Sequence, residues 1–438
     1  MGTSVRRSRS TAGLRPRRLR SLRVVAALAA ATLAAGCGSP PLLDRMSLAP
    51  HSPCPSASAR GSAGLGSVAY VRSGELHVVD LAMCADRVVV ASGARPPVAF
   101  SPSGAWIAFG SGDVVSVGGG SVVPSLGGPV ARWEWSPTAD LLAGVTAKGG
   151  LIVGGPDRSP QRLYPDGSNI WEARFSPNGG QLAVNIDLRR IALLSIPSAT
   201  RRIAYRIPSG SVAGLQVAGW SRDGRWILFW FNQEHSSSLA ADGLPLEAVP
   251  ASGGTPVPVA DAMLLYRDFM SQCGSSLVLA VGSDRYVTAG KRLVSVRPPD
   301  RKPVDLSNDP SRSWFWPACS PDGRWVAATA TRNAEERRFS VADRTIWLLA
   351  ADGSSRHLLV GTEGDGVADE APRWSADGRW LLFVQRERRP GAEGTLELAR
   401  VEGTHASPVG AVATLPGEVG YYGHYGWLSA SDWFQPSG

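Results

Sequence analysis

The chain has 438 residues, with 45 Lys and Arg against 37 Asp and Glu, and it is rich in Gly (50), Pro (33) and Trp (15). The formal charge of +8 does not signal a nucleic-acid partner. Eight arginines (Arg6, Arg7, Arg9, Arg15, Arg17, Arg18, Arg20 and Arg23) precede Cys37 without an acidic residue among them, and beyond that point the two signs are equal. No later basic cluster alternates with stacking aromatics, which excludes the usual footprint of nucleic-acid binding. Many short strands joined by tight turns explain the Gly and Pro content, and wedges between packed sheets explain the Trp content.

Taken in order, the chain opens on an Arg-rich stretch and an apolar run over 24–35 that is too short for an ordinary membrane span. Residues 1–36 are therefore expected to be an export signal. The stretch Leu33-Ala34-Ala35-Gly36-Cys37 resembles a bacterial lipobox, which implies Cys37 as the lipidated first residue of the mature protein. Residues 37–66, dominated by Ser, Pro, Ala and Gly, are expected to be a tether, because such a composition cannot bury enough apolar surface to fold. Membrane contact is then expected only through the lipid.

Four cysteines follow: Cys54, Cys84, Cys273 and Cys319. An even number in an exported chain points to disulfides and allows three complete pairings. The expected one joins Cys54 to Cys84 and Cys273 to Cys319, since Cys319 takes an aromatic position of the repeat below and Cys273 falls near the corresponding turn.

Residues 68–71, 76–80 and 87–90 read as three strands. After them one phrase keeps returning: an aromatic residue, Ser, often Pro, then a polar residue, Gly and an apolar run. It occurs as Phe100-Ser101-Pro102-Ser103-Gly104, Trp135-Ser136-Pro137, Phe175-Ser176-Pro177-Asn178-Gly179, Trp220-Ser221-Arg222-Asp223-Gly224, Cys319-Ser320-Pro321-Asp322-Gly323 and Trp374-Ser375-Ala376-Asp377-Gly378. Each copy is a hairpin signal, and recurrence at 35–55 residues marks a repeat architecture. The long gap between Ser221 and Ser320 holds strands expected at 264–269, 277–281, 293–296 and 303–306. Residues 421–433 supply an orphan first strand around Trp427, and the unit at 68–90 lacks one. An all-β fold follows: a single closed β-propeller of four-stranded blades over residues 67–434, with a tail at 435–438. Eight blades are expected, or seven if the degenerate group is an insertion, with both chain ends closing the ring. Trp106, Trp226, Trp325 and Trp380 are expected to pack blade against blade.

The phrase, together with later strands such as Ile346-Trp347-Leu348-Leu349 and the approach Asp369-Glu370-Ala371-Pro372-Arg373, resembles the TolB-type, WD40-like (PD40) propeller repeat. The resemblance covers residues 68 to about 434. It implies a bacterial envelope lipoprotein, and the excess of Arg over Lys suits a high-GC, actinobacterial source.

Function is less legible. A prolyl-oligopeptidase-like enzyme would need a Gly-x-Ser-x-Gly nucleophile elbow, and the sequence contains none; the histidines fall at dissimilar blade positions. The expectation is a non-catalytic protein-binding module or scaffold for an envelope or secreted protein, without a cofactor or an oligomerisation element. The alternative is a propeller enzyme or sensor that binds a small molecule or metal in the central channel. Binding candidates lie in the irregular excursions at 232–244 (His235), 331–344 (Arg332, Glu335, Arg337) and 385–394 (Arg386, Arg388). Glu363, Asp365 and Asp369 form a weak Ca²⁺ candidate, oxygen-rich but without EF-hand spacing.

Overall fold

The repeated phrase builds its own turn. In the computed structural model, which describes residues 65–436 apart from 197, 301 and 334–341, Ser221 Oγ donates to Asp223 (2.6 Å) and accepts from the Trp226 amide (3.0 Å). Asp223 in turn accepts from the Arg225 amide (3.1 Å). The same bonds recur at Ser320–Asp322 and Ser375–Asp377, and with Asn178 in place of Asp beside Ser176. Gly224 sits at φ +67° and donates to the Ser221 carbonyl, a conformation that L side chains resist.

These turns link the first two strands of successive blades in an eight-bladed propeller. Seven of the eight sheets have four antiparallel strands. The innermost strands, in chain order, are Val98–Phe100, Arg132–Trp135, Ile170–Phe175, Gly214–Trp220, Met270–Cys273, Arg312–Cys319, Val367–Trp374 and Ser431–Phe434. The blade begun by Val98–Phe100 departs from the expected four strands. Beyond Asp113–Ser116 its outer position holds only a bridge between Val114 and Val123. Gly118, Gly119 and Gly120 follow that strand, the last two at positive φ, and Pro124 lacks an amide donor, so a fourth strand does not propagate.

Second strands such as Trp325–Arg332 and Trp380–Glu387 are buried on both faces, as nearly continuous apolar runs require. Between blades, the indole of one copy donates to the carbonyl just before the aromatic position of the previous one. Trp135 reaches Ala99, Trp220 reaches Arg174, and Trp374 reaches Ala318, at 3.0–3.1 Å. Cys273 and Cys319, which replace the aromatic in adjacent blades, are disulfide-bonded with 5.3 Å between their Cα atoms. The degenerate group is thus a full blade, although its innermost strand is Met270–Cys273 and not 264–269, where Arg267–Phe269 forms a 3₁₀ turn.

Closure uses both chain ends. Ser431–Phe434 pairs antiparallel with Ser67–Arg72, and the Phe434 ring packs 5.6 Å from that of Phe100. Gly104 is required there, because a Cβ would stand 2.2 Å from the Phe434 ring. The position of the closing strand corrects the expectation. Trp427 is not its aromatic residue but opens a short helix, Trp427–Ala430, and Phe434-Gln435-Pro436 is the last copy of the phrase. Gln435 bonds the Ala376 amide and the Trp374 carbonyl of the preceding blade, as Gln272 bonds the Arg222 amide and the Trp220 carbonyl.

Candidate functional site: the central channel

After the outermost strand His405–Leu415, the chain returns to the centre through residues 416–426, and this crossing fills one part of the channel. The Tyr422 carbonyl accepts from the Val287 amide (3.0 Å), and that of Gly423 accepts from Arg344 (2.8 Å). His424 stacks on Tyr266 with 3.7 Å between centroids, and its Nε2 lies 2.9 Å from Asp268, which also accepts from the Trp316 indole (3.1 Å). Beneath lies a dry ionic cluster. Glu370 and Arg344 are fully buried, and Glu370 meets Arg344 (2.5 Å), Arg386 (2.8 Å) and the Trp427 indole (2.6 Å). Burial opposes ionisation of Glu370, but the two guanidiniums outweigh it and hold the carboxyl below its ordinary range.

Toward the Ser-Pro turns the channel opens. A cavity of about 790 Å³ is walled by residues from six blades, among them Ser101, Pro137, Ser271, Pro317, Arg373 and Trp433. A neighbouring cavity of about 540 Å³ shares Asp268 and Ser271 and adds Glu134, Arg174, Arg267 and Trp220. Glu134 ties three blades together, accepting from Arg174 (3.3 Å) and Arg267 (3.0 Å). Half of the Arg267 side chain is accessible to water although the ring surrounds it, so the enclosure is wet. Arg174 beside it, then burial, push the Arg267 guanidinium below its usual range. Burial pushes Glu172 up against the opposing pull of Arg174. This part of the molecule offers fixed charges of both signs within aromatic and proline walls, an arrangement suited to orienting a bound polar group.

The residues singled out in the sequence do not converge here. His235 is exposed and takes a positive φ before the helix Ser237–Asp242. Arg332 is exposed but pairs with Glu363. Arg386 is no loop residue: it lies in Trp380–Glu387, 3 % exposed, with Glu370 as its partner. Arg388 pairs with Asp343. Glu335, Arg337, Cys37 and Cys54 lie outside the described residues; Cys84 is disulfide-bonded. The cation turn does not assemble. Glu363 serves Arg312 and Arg332, Asp365 caps the Val367 amide, and Asp369 is buried in Val367–Trp374 beside Gln385. Among the described residues no group of three or more His, Cys, Asp or Glu is placed to hold a metal ion.

The channel residues were missed, though a signal existed. Arg132 and Glu134, and then Glu172 and Arg174, alternate with apolar residues in the run leading into an aromatic-Ser-Pro phrase. Charge on alternate positions of an innermost strand marks an unusual wall. The pairing of Arg267 with Glu134, 133 residues away, was invisible without the ring.

No family model matches the chain, and no curated protein matches it. Among solved structures, it is similar to Porphyromonas gingivalis dipeptidyl peptidase 4 (8 % identity, TM-score 0.55), covering 82 % of this chain and 60 % of that one. It is also similar to the dihydro-heme d1 dehydrogenase NirN in complex with DHE (15 % identity, TM-score 0.54; 82 % and 76 %). A putative TolB from Agrobacterium tumefaciens matches at 17 % identity over 62 % of this chain and 91 % of that one, with a TM-score of 0.36. At these identities the likeness concerns the propeller fold alone.

Proposed function

We propose that this chain is an exported, lipid-anchored propeller that acts without catalysis, binding an envelope or secreted protein at the outer face of the plasma membrane. The open mouth of the channel carries the reading. It gathers residues of six blades, with charges of both signs, on a scaffold braced by the Cys273–Cys319 bond and the blade-to-blade indoles. Recognition surfaces of this kind sit on rigid frames. The Arg-rich start, the apolar run and Cys37 support anchoring, and a disulfide suits an oxidising compartment. A tether over 37–66 would let a modest interface work by raising local concentration. A small-molecule sensor is the second reading, favoured by the filled floor that turns the channel into a cup.

The test is site-specific photocrosslinking in the producing cell with the full chain. Crosslinkers at Pro102 and Ala376, on the mouth, should capture one discrete envelope protein, and a crosslinker at Arg206, on an outer strand, should not. Equal capture from all three positions, or none from the mouth, would overturn the reading. Cys37→Ala should release the protein from the membrane; a variant still acylated would remove the anchor from the proposal.

A further inference from the structure

The binding reading leaves the ligand's chemistry open, and one residue in the cup narrows it. Arg174 and Arg267 both pair with Glu134, Arg174 also stands 3.8 Å from Glu172, and Arg222 is exposed. Arg373, only partly exposed, has no carboxylate within ion-pair distance among the described residues. Its guanidinium donates to the Ser431 carbonyl (2.9 Å) and hydroxyl (2.7 Å), and its Nε is buried without a hydrogen-bond partner. That uses two of five donors. Burial lowers its pKa to about 10 against the opposing pull of Asp432. Asp432 stands in the same wall, but its oxygens are held by the amides of Phe100 (2.8 Å) and Trp433 (2.9 Å).

We propose that Arg373 anchors a carboxylate carried on an apolar body, seated in the cavity of about 790 Å³ between Trp374, Trp433 and Pro317. The inference rests on the mouth being the binding face. With Nε buried and each Nη already donating once to Ser431, the remaining Nη hydrogens are the donors left for a charge-assisted bond to a carboxylate. Asp432 and Asp268 line the same cavity and oppose a dianion such as phosphate more than a single carboxylate. A partly desolvated cation with no carboxylate at ion-pair distance is costly, so an incoming anion meets a donor already stripped of part of its water. The cavity is of the size that holds small ligands, and the walls supply the apolar contact. The carboxylate could come from a free organic acid or from the end of a polypeptide.

The experiment is titration of the full chain, followed by tryptophan fluorescence, with four probes: phenylacetate, phenylacetamide, and the peptide acetyl-Pro-Ala-Phe as free acid and as amide. At least one acid should saturate the signal and bind at least 10-fold more tightly than its amide. Arg373→Gln should remove that discrimination, and Arg373→Lys should keep part of it. Saturation by phenylacetate identifies a small acid as sufficient; saturation by the peptide acid alone identifies a polypeptide source. Equal binding of acid and amide, undiminished acid binding by Arg373→Gln, or no binding of either acid would overturn the proposal. Should Arg373→Gln fail to fold, the acid–amide ratio of the unaltered chain and the Lys variant still decide. Crosslinks from Pro102 and Ala376 without acid discrimination would sink this inference while leaving the binding face in place. Acid binding without crosslinks would do the reverse for the protein partner.

Discussion

Glu370 and Arg373 stand three residues apart on one strand, Val367–Trp374, yet they inhabit opposite kinds of electrostatic environment. Around Glu370 the ions are dry and densely paired: two guanidiniums, an indole and the stacked rings of Tyr425 and Trp427 (5.4 Å apart) enclose one carboxylate. Around Arg373 the cavity is open and, among the described residues, no carboxylate stands at ion-pair distance, Asp432 acting on the cation from further off. Buried pairing of the first kind specifies how the ring is plugged and closed. Incomplete pairing of the second kind is what a binding surface retains for something else. The same residue types therefore do different work according to what the chain's own return segment covers.

The largest expected effect comes from removing that segment. A chain ending at residue 418 loses Tyr425, Trp427 and the closing strand, exposing the edge of Ser67–Arg72. It should aggregate on expression or melt far below the full chain, as read by size-exclusion chromatography and thermal unfolding; unchanged melting would place closure elsewhere. Next comes Glu370→Gln, which strands two buried guanidiniums and should cost about 3–5 kcal/mol in denaturant unfolding. Arg373→Gln should change stability far less, which is the sharpest form of the contrast. Replacing Cys273 and Cys319 by Ser should cost about 2–4 kcal/mol, visible as a lower denaturation midpoint without loss of the fold.

A further effect concerns pH, on this strand and on Gly394–Glu402. Burial raises the Asp369 carboxyl to about 6 and, together with Asp369 itself, burial raises Glu397 to about 7. Both folded values exceed those of the unfolded chain, so their stabilising share is complete below about pH 4 and declines as pH rises through the folded values. Asp369→Asn with Glu397→Gln should flatten the melting-temperature profile between about pH 4 and 7. A slope unchanged by the double variant would assign it to other groups.

Much of the fold was legible because its determinants are local. Ser with Asp or Asn fixes the turns at Ser176, Ser221, Ser320 and Ser375 by bonds within six residues, and the two-sided apolar runs declare strands buried between blades. Blade count followed from spacing. What failed did so for long-range reasons. Trp427-Leu428-Ser429 imitates the phrase, but Glu370, 57 residues earlier, claims the Trp427 indole, and Phe434 takes the inner position. Arg386 reads as a loop charge until the partner at Glu370 is known. The cup itself depends on residues from six blades, which no window of sequence brings together.

The most direct test of the open mouth as the working face is a hydrogen-exchange footprint of the full chain with its crosslink-identified partner. Protection should fall on 100–105, 318–324 and 373–378, the amides around the cup. Protection confined to the outer loops at 232–244 and 385–394, with the mouth exchanging as in the free protein, would contradict it.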